Sequence, residues 1–141
     1  MGIIAAMKRL TSVTPEELLK SALEEPLIES QIIDLNQKQL YEQGVESDGT
    51  PTGDYSLRTV NEKISAGEPY DHVTLKDMGD FYDSMKVELT DNSAVITGDM
   101  QKPDRDLEEG WPKALGLTEE SLNEIKPDVW AGMLRAWKRA V

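Results

Sequence analysis

A short alternating segment near the middle of the chain constrains the fold more than any other feature. Val87 and Leu89 alternate with polar residues, Asp91-Asn92 is a plausible tight turn, and Ala94 to Thr97 can return as a second strand. The pattern predicts a β-hairpin near residues 86–98. Because helical spacing dominates elsewhere in the chain, the sheet should be small and antiparallel, and the expected fold class is α+β.

The segment just before the hairpin predicts a junction between extended and helical structure. His72 to Leu75 is a candidate for a short strand, and Gly79 breaks this run. Phe81, Tyr82 and Met85 then follow at helical spacing. A glycine at such a junction permits a positive φ angle, so we interpret this stretch as scaffold that leads into the hairpin.

The first third of the chain predicts two helices. Thr14 is a good N-cap, followed by proline at the first helical position and by Glu17 at the third. Pro26 breaks this helix or begins the next one, and Gly44 is the expected C-cap of the second helix.

Three further helices are predicted. Ser56 to Ala66 should form a short helix that Gly67 ends. Near the C-terminus, Leu117 to Ile125 should form another, with Thr118 as its cap, and Pro127 should begin a separate final helix.

The length of 141 residues predicts a single domain, residues 1–141, with one core. We expect a flexible N-terminus over residues 1–13 and long loops near residues 45–55 and 99–116, where glycine, proline and other turn-forming residues are frequent. Residues 45–55 should form an exposed, mobile loop.

The charge of the chain is strongly acidic and unevenly distributed. The formal net charge is -12, which opposes binding to the phosphate backbone of nucleic acids. Residues 129–141 nevertheless carry a local charge of +3. The chain has no cysteine, which excludes disulfides and thiol nucleophiles, and its apolar N-terminal run is too short for a membrane span. We expect a soluble, non-secreted protein.

Residues with catalytic chemistry are few. His72 is the sole histidine, so a histidine-based metal cluster or a serine–histidine–aspartate triad cannot be assembled. A small hydrolase or metal-dependent enzyme would need His72 to converge with several of Asp77, Asp80 and Asp83. We interpret these acids as solvated surface and predict no enzymatic activity, no catalytic, metal-binding or cofactor-binding residues, and no cofactor.

Apolar residues recur along the predicted last helix at positions i, i+4, i+7 and i+11. They are Trp130, Leu134, Trp137 and Val141. The stripe either packs on the domain's own core or docks on another subunit or partner, because tryptophan and arginine suit interface hot spots. The residues of the possible interface are Trp130, Leu134, Arg135, Trp137, Lys138 and Arg139. The basic side chains would then meet an acidic neighbour.

An ordered set of short motifs also runs through residues 40–100. It comprises Gly49-x-Pro51, Tyr55-Ser-x-x-Thr59, Lys63 and Leu75-x-x-x-Gly79-x-Phe81-x-x-Ser84-Met85, followed by the hairpin. This order resembles the tail-completion, or head-tail joining, proteins of tailed phages, which are virion-morphogenesis proteins of the neck. Leu107 to Glu120 resembles the later part of related small phage proteins.

The sequence departs from that family at a few positions. Met78 stands where the family usually has threonine, Phe81 where it has leucine, and Met85 where it has isoleucine. The histidine- and glycine-containing segment that often follows the hairpin in the family is not evident.

The resemblance implies a non-enzymatic virion protein, made in the host cytoplasm. It would form an oligomeric ring at the head-tail junction and contact other neck, portal or tail proteins. It implies no catalytic residues, no membrane and no sequence-specific binding to nucleic acid. The motif residues Leu75, Gly79, Phe81, Ser84 and Met85 are expected to define the fold. The net charge leaves an alternative open, an acidic inhibitor or DNA mimic that binds a basic, nucleic-acid-binding partner.

Overall fold

The computed structural model describes residues 13–77, 79–90 and 93–141. In chain order its elements are helices α1 (Pro15–Leu23), α2 (Pro26–Lys38), α3 (Leu57–Ala66) and α4 (Asp80–Asp83), strands β1 (Lys86–Leu89) and β2 (Ala94–Thr97), and helices α5 (Leu107–Gly110) and α6 (Glu119–Ala140). The helices and a two-stranded antiparallel sheet confirm the α+β class. Of the N-terminus that we predict to be flexible, residues 1–12 lie outside the described residues.

The first two helices begin and end where their capping residues predict. The Thr14 hydroxyl accepts a hydrogen bond from the Glu17 backbone N–H at 3.1 Å, and the Glu17 carboxylate accepts one from the Thr14 N–H at 3.4 Å. Pro26 occupies the first turn of α2. The helix then widens into a π-helical turn, Gln39–Gln43, and ends at Gly44, whose φ is 68°.

The two helices predicted at the C-terminus are one continuous helix, α6. Thr118 caps its start and accepts a hydrogen bond from the Ser121 N–H at 3.2 Å, as expected. Pro127 lies inside the helix, so the prediction that it begins a separate helix is wrong. Ile125 before the proline and Met133 after it pack in the same apolar cluster, and this shared burial keeps the helix continuous through the proline.

The predicted hairpin is confirmed. Lys86 lies opposite Thr97 and Leu89 lies opposite Ala94 in the antiparallel ladder. The expected turn residues Asp91-Asn92 lie outside the described residues.

The predicted strand from His72 to Leu75 is wrong, because this segment pairs with no strand in the described part of the chain. Hydrogen bonds with side chains replace the backbone hydrogen bonds that a neighbouring strand would provide. The Thr52 hydroxyl donates to the Val73 carbonyl at 2.6 Å, and the Thr74 N–H donates to the Tyr55 hydroxyl at 2.9 Å. The segment therefore belongs to no sheet, and its backbone turns at Leu75, whose φ is 59°.

The loop over residues 45–55 is exposed at residues 48–51, 53 and 54, but the expectation of exposure is wrong for Glu46 and Thr52, which are buried. The Lys113 N–H donates to a Glu46 carboxylate oxygen at 3.0 Å. The Trp111 indole N–H donates to the Thr52 carbonyl at 2.7 Å. This loop and the connection over residues 99–116 therefore hold each other in place.

Two apolar clusters form the interior. The first contains Leu40, Phe81, Tyr82, Met85, Leu107 and Ala114. The second contains Ala22, Ile28, Ile32 and Ile125. Helix α2 contributes to both, since Leu40 follows its last turn and the two isoleucines lie on its inner face.

Two buried amide side chains of the α2 segment fix the chain that leads into α6. Asn36 donates to the Ala114 carbonyl and accepts from the Gly116 N–H, both at 2.9 Å. Gln39 donates to the Gly116 carbonyl and accepts from the Thr118 N–H, again at 2.9 Å. These four bonds satisfy buried backbone groups and set where α6 begins.

Candidate functional site

An open apolar groove lies between α1, the hairpin and the first half of α6. Its volume is about 720 Å³. Its walls include Leu19, Leu23, Val87, Ile96, Leu122 and Val129. Lys126 is the charged residue among those that line it. A groove of this size is within the range of binding sites for small ligands and for short peptide segments.

The groove forms because the elements on its sides carry some apolar residues that are buried in the interior and others that are exposed at the surface. On α1, Ala22 is buried in the second cluster while Leu19 is exposed. On α6, Ile125 is buried while Leu122 is exposed. Such a surface can bind an apolar side chain or helix by removing both partners from water, and it offers little that could orient a reacting group.

The stripe predicted on the last helix faces outward. Its members Trp130, Leu134, Trp137 and Val141 are all exposed, and Trp130 is 62% exposed. The last helix does pack on the domain's own core, against α1 and α2, but it does so through a face other than the one that carries these four side chains. The face of α6 that turns inward instead carries Ser121, Ile125, Gly132 and Ala136. The interface alternative stays a prediction.

The groove and the stripe are continuous, since Trp130 lines the groove and also begins the stripe. We call the two together the α6 surface. A connected apolar area on the outside of an acidic protein is typical of a protein–protein contact.

The basic residues predicted beside the stripe have different surroundings. Arg135 binds a carboxylate oxygen of Glu25 through its Nε at 3.0 Å and its Nη2 at 2.8 Å. This ion pair joins α6 to the start of α2 within one chain. Lys138 and Arg139 are exposed and lie in the last turn of the helix.

The five motif residues of the phage resemblance come together away from the groove. Phe81 and Met85 are buried in the first cluster, and Leu75 packs against it. Gly79 has a φ of 87° at the start of α4, as its place in the sequence predicts. The Ser84 hydroxyl donates to the Phe81 carbonyl at 2.6 Å and accepts from the Asp99 N–H at 2.7 Å. Their contacts are structural.

The contacts of Lys76 with Tyr41 and Tyr82 at the first cluster are not predicted from the sequence. The Tyr82 hydroxyl donates to the Thr74 carbonyl. Burial raises the pKa of Tyr82 well above its usual value. The Lys76 ammonium lies 5.2 Å from the centre of the Tyr41 ring and 5.7 Å from that of Tyr82, within the range of cation–π contacts. Aromatic residues far apart in the sequence give no local signal of this arrangement.

The residues considered for a metal or hydrolytic site do not form one cluster. One His72 ring nitrogen contacts an Asp71 carboxylate oxygen at 2.7 Å, and the other contacts the Tyr41 carbonyl at 2.6 Å. Over the ranges that the structure covers, no group of three or more metal-binding side chains is found, and Asp77, Asp80 and Asp83 form no such group with His72.

Among the described helices, none combines the length and the apolar character needed to cross a bilayer. Comparisons with protein-family models, with curated proteins and with solved structures gave no match to this chain.

Proposed function

We propose that this protein is a non-enzymatic structural subunit of a phage virion, which joins the neck as a tail-completion or head-tail connector protein. It would assemble into a ring at the head-tail junction and contact neighbouring portal or tail proteins. The observation that carries the proposal is the α6 surface, where a groove of about 720 Å³ continues into an exposed, tryptophan-bearing stripe.

The chemistry of that surface suits assembly. Tryptophan and leucine provide large apolar contact areas, and binding energy at interfaces is concentrated in such residues. Trp130, Trp137 and Leu134 are exposed in the single chain, so a partner could bury all three. Their burial would provide the apolar centre of an interface, with Lys138 and Arg139 near its edge.

The motif resemblance and the net charge support the same proposal. Of the residues that carry the resemblance, Phe81 and Met85 are buried in the first cluster and Leu75 packs against it, so these three support the fold, and assembly would use the outer surface. A net charge of -12 would also make the inner wall of a ring repel the phosphates of DNA that passes through it.

The direct test is to co-express the full chain with the proteins encoded beside it in its genome and to image the purified complexes by cryo-electron microscopy. We expect co-purification with a portal or tail protein, and rings at the junction. If no neighbouring protein co-purifies and no ring forms, alone or in the mixture, the proposal is wrong.

A matched pair of variants ties that result to the α6 surface. Trp137→Ser should abolish co-purification while the circular dichroism spectrum stays unchanged, because Trp137 is exposed. Leu57→Ser is the control, since Leu57 is 77% exposed on α3 and does not line the groove. Equal loss with both variants would show that the contact does not depend on the α6 surface.

A further inference from the structure

Helix α3 is less firmly attached to the rest of the protein than α1, α2 and α6 are. None of its ten residues is buried, and it packs extensively on no other helix or strand of the described chain. Leu57 and Ile64 on its apolar face are both exposed. A helix of this length is only marginally stable in water without tertiary packing. Contacts with neighbouring loop segments must therefore hold it in place.

Those contacts converge on Lys63. Its ammonium donates to a Glu68 carboxylate oxygen at 2.9 Å and to the Lys76 carbonyl at 3.4 Å, and it lies 5.4 Å from the centre of the Tyr55 ring. The Lys63 side chain is only 15% exposed. Over the described residues, the side-chain hydrogen bonds that join α3 to the body of the protein all come from this lysine. Lys63 is therefore the main attachment of α3.

The other cation of α3 has different contacts. Arg58 binds Glu62, one turn further along the same helix, at 3.3 Å, and its side chain is 88% exposed. A pair with this spacing supports the helix itself but joins it to nothing else. The two cations therefore allow the stability of the helix to be separated from its attachment.

The segment that Lys63 holds contains a strained residue. Leu75 has a φ of 59°, a backbone conformation that a bulky side chain rarely adopts. The Thr74 N–H before it donates to the Tyr55 hydroxyl. The Lys76 carbonyl after it accepts from Lys63. Such strain persists only where surrounding contacts fix the backbone, and the bond from Lys63 is one of those contacts.

We propose that α3 and the contacts of Lys63 form a latch, which opens locally when these contacts break and lets the backbone at Leu75 relax while the two apolar clusters stay folded. Strain at Leu75 favours the open state, and the ion pair with Glu68 opposes it. The Glu68 side chain is 41% exposed, so salt should weaken the ion pair and favour opening.

The latch would be a conformational device of the single chain. Segments that rearrange on binding or assembly come from the least stable parts of a fold, and α3 is such a part. The inference is independent of the proposed function, because it involves neither the α6 surface nor a virion partner.

Amide hydrogen exchange of the full chain, followed residue by residue by NMR, tests the latch. We expect residues 60–66 to exchange at least about 100 times faster than the centres of α2 and α6. Their rates should depend little on urea below the unfolding transition, because local opening exposes little surface. Raising sodium chloride from about 0.05 to about 0.5 M should speed their exchange about threefold. Equal rates in α3, α2 and α6 would mean that α3 opens only in global unfolding, and would overturn the proposal.

Two matched variants separate attachment from helix stability. Lys63→Met removes the charge and keeps an apolar stem, so exchange of residues 60–66 should become about tenfold faster. Arg58→Met removes the other cation of the same helix and should change these rates by less than about threefold. Glu68→Gln should act in the same direction as Lys63→Met and add little to it in the double variant, because both remove one ion pair. Equal effects of the two methionine variants would overturn the proposal.

The release of the strained segment has a separate readout. The Lys76 N–H donates to the Thr74 hydroxyl at 3.2 Å, so its exchange reports on the backbone next to Leu75. Lys63→Met should speed this exchange in parallel with that of α3. Faster exchange in α3 alone would show that the latch does not hold the segment, and would overturn the proposal. If Lys63→Met does not fold, Glu68→Gln and the salt series decide the same question by the same two readouts.

Discussion

At the scale of single residues, Tyr82 links the stability of the fold to pH. Its ring is buried in the first cluster, and its hydroxyl donates to the Thr74 carbonyl. Burial raises the pKa of Tyr82 above the ordinary value for a tyrosine side chain. Because the folded state favours the neutral phenol, this contribution to stability is complete below about pH 10 and is lost as the pH rises further.

We expect Tyr82→Phe to lower the free energy of unfolding at pH 7 by about 1–3 kcal/mol, because the buried carbonyl loses its donor. Above about pH 10 the difference from the wild type should shrink, since the variant has no phenol to ionise at this position. Urea unfolding at pH 7 and pH 10.5 measures both. Tyr70→Phe is the control, because Tyr70 is exposed. A difference that stays constant or grows with pH would contradict the assignment.

Gly44 is the second residue at which the structure makes a specific demand. Its φ is 68°, and a Cβ atom added there would lie 2.5 Å from Cγ of His72. Residues other than glycine rarely adopt this backbone conformation. At Gly44 the added atom would also collide with the His72 ring, which two hydrogen bonds hold in place.

Gly44→Ala should therefore lower the free energy of unfolding by more than about 2 kcal/mol. Gly49→Ala isolates the backbone cost, because Gly49 has a φ of 85° with nothing within 4 Å of an added Cβ. We expect about 1–2 kcal/mol for that control. Chemical denaturation followed by circular dichroism gives both values, and equal losses would show that the His72 contact is unimportant.

At the scale of elements, the sequence predicts those whose determinants are local. The start of α1 depends on Thr14 and Glu17, three residues apart, and the hairpin depends on alternation within residues 86–97. The failed predictions depend on distant partners. The backbone from His72 to Leu75 is held by Thr52 and Tyr55 rather than by a strand.

The candidate site likewise has one part that the sequence predicts and one part that depends on distant residues. Helical spacing identifies the stripe from Trp130 to Val141, because its members lie on α6 or, for Val141, directly after it. The groove could not be predicted, since its walls extend from Leu19 to Met133 and meet only in the folded chain. Pro127 is the opposite case. A proline is a strong local signal for a helix start, but tertiary packing keeps α6 continuous through it.

Helix α6 packs closely on the N-terminal helices at Gly132. A Cβ added there would lie 2.8 Å from Cδ1 of Ile28 and 2.9 Å from Cβ of Ala22. In an open helix, glycine to alanine stabilises by roughly 1 kcal/mol through helix propensity.

Gly132→Ala should instead destabilise the protein by about 1–3 kcal/mol, because the helices must move apart to admit the methyl group. The sign of the change in the free energy of unfolding shows which effect is larger, because helix propensity favours alanine at this position and crowding opposes it. Urea unfolding measures it, and an increase in stability would show that α6 does not approach Ala22 and Ile28 this closely.

At the scale of the whole molecule, the two apolar clusters are connected by buried amides. Asn36 and Gln39 lie on the α2 segment between Ile32 of the second cluster and Leu40 of the first. Each binds the chain that runs from Ala114 to Thr118, which leaves the first cluster and enters α6. Loss of these bonds would leave backbone groups buried without partners, a cost that falls on the junction between the clusters.

Asn36→Ala should therefore reduce the cooperativity of unfolding as well as its free energy. In a background with Trp130→Phe and Trp137→Phe, fluorescence reports on Trp111, which packs against the first cluster, while circular dichroism at 222 nm mainly follows the long helices. With Asn36 present the two transitions should coincide, as for one cooperative domain. With alanine at position 36 we expect the free energy of unfolding to fall by about 2 kcal/mol or more. We also expect the two transitions to have separate midpoints, because the hydrogen bonds of Asn36 no longer connect the two clusters. Coincident transitions in the alanine variant would mean that apolar contacts alone couple the two clusters, and the amides would then be needed only to satisfy the backbone.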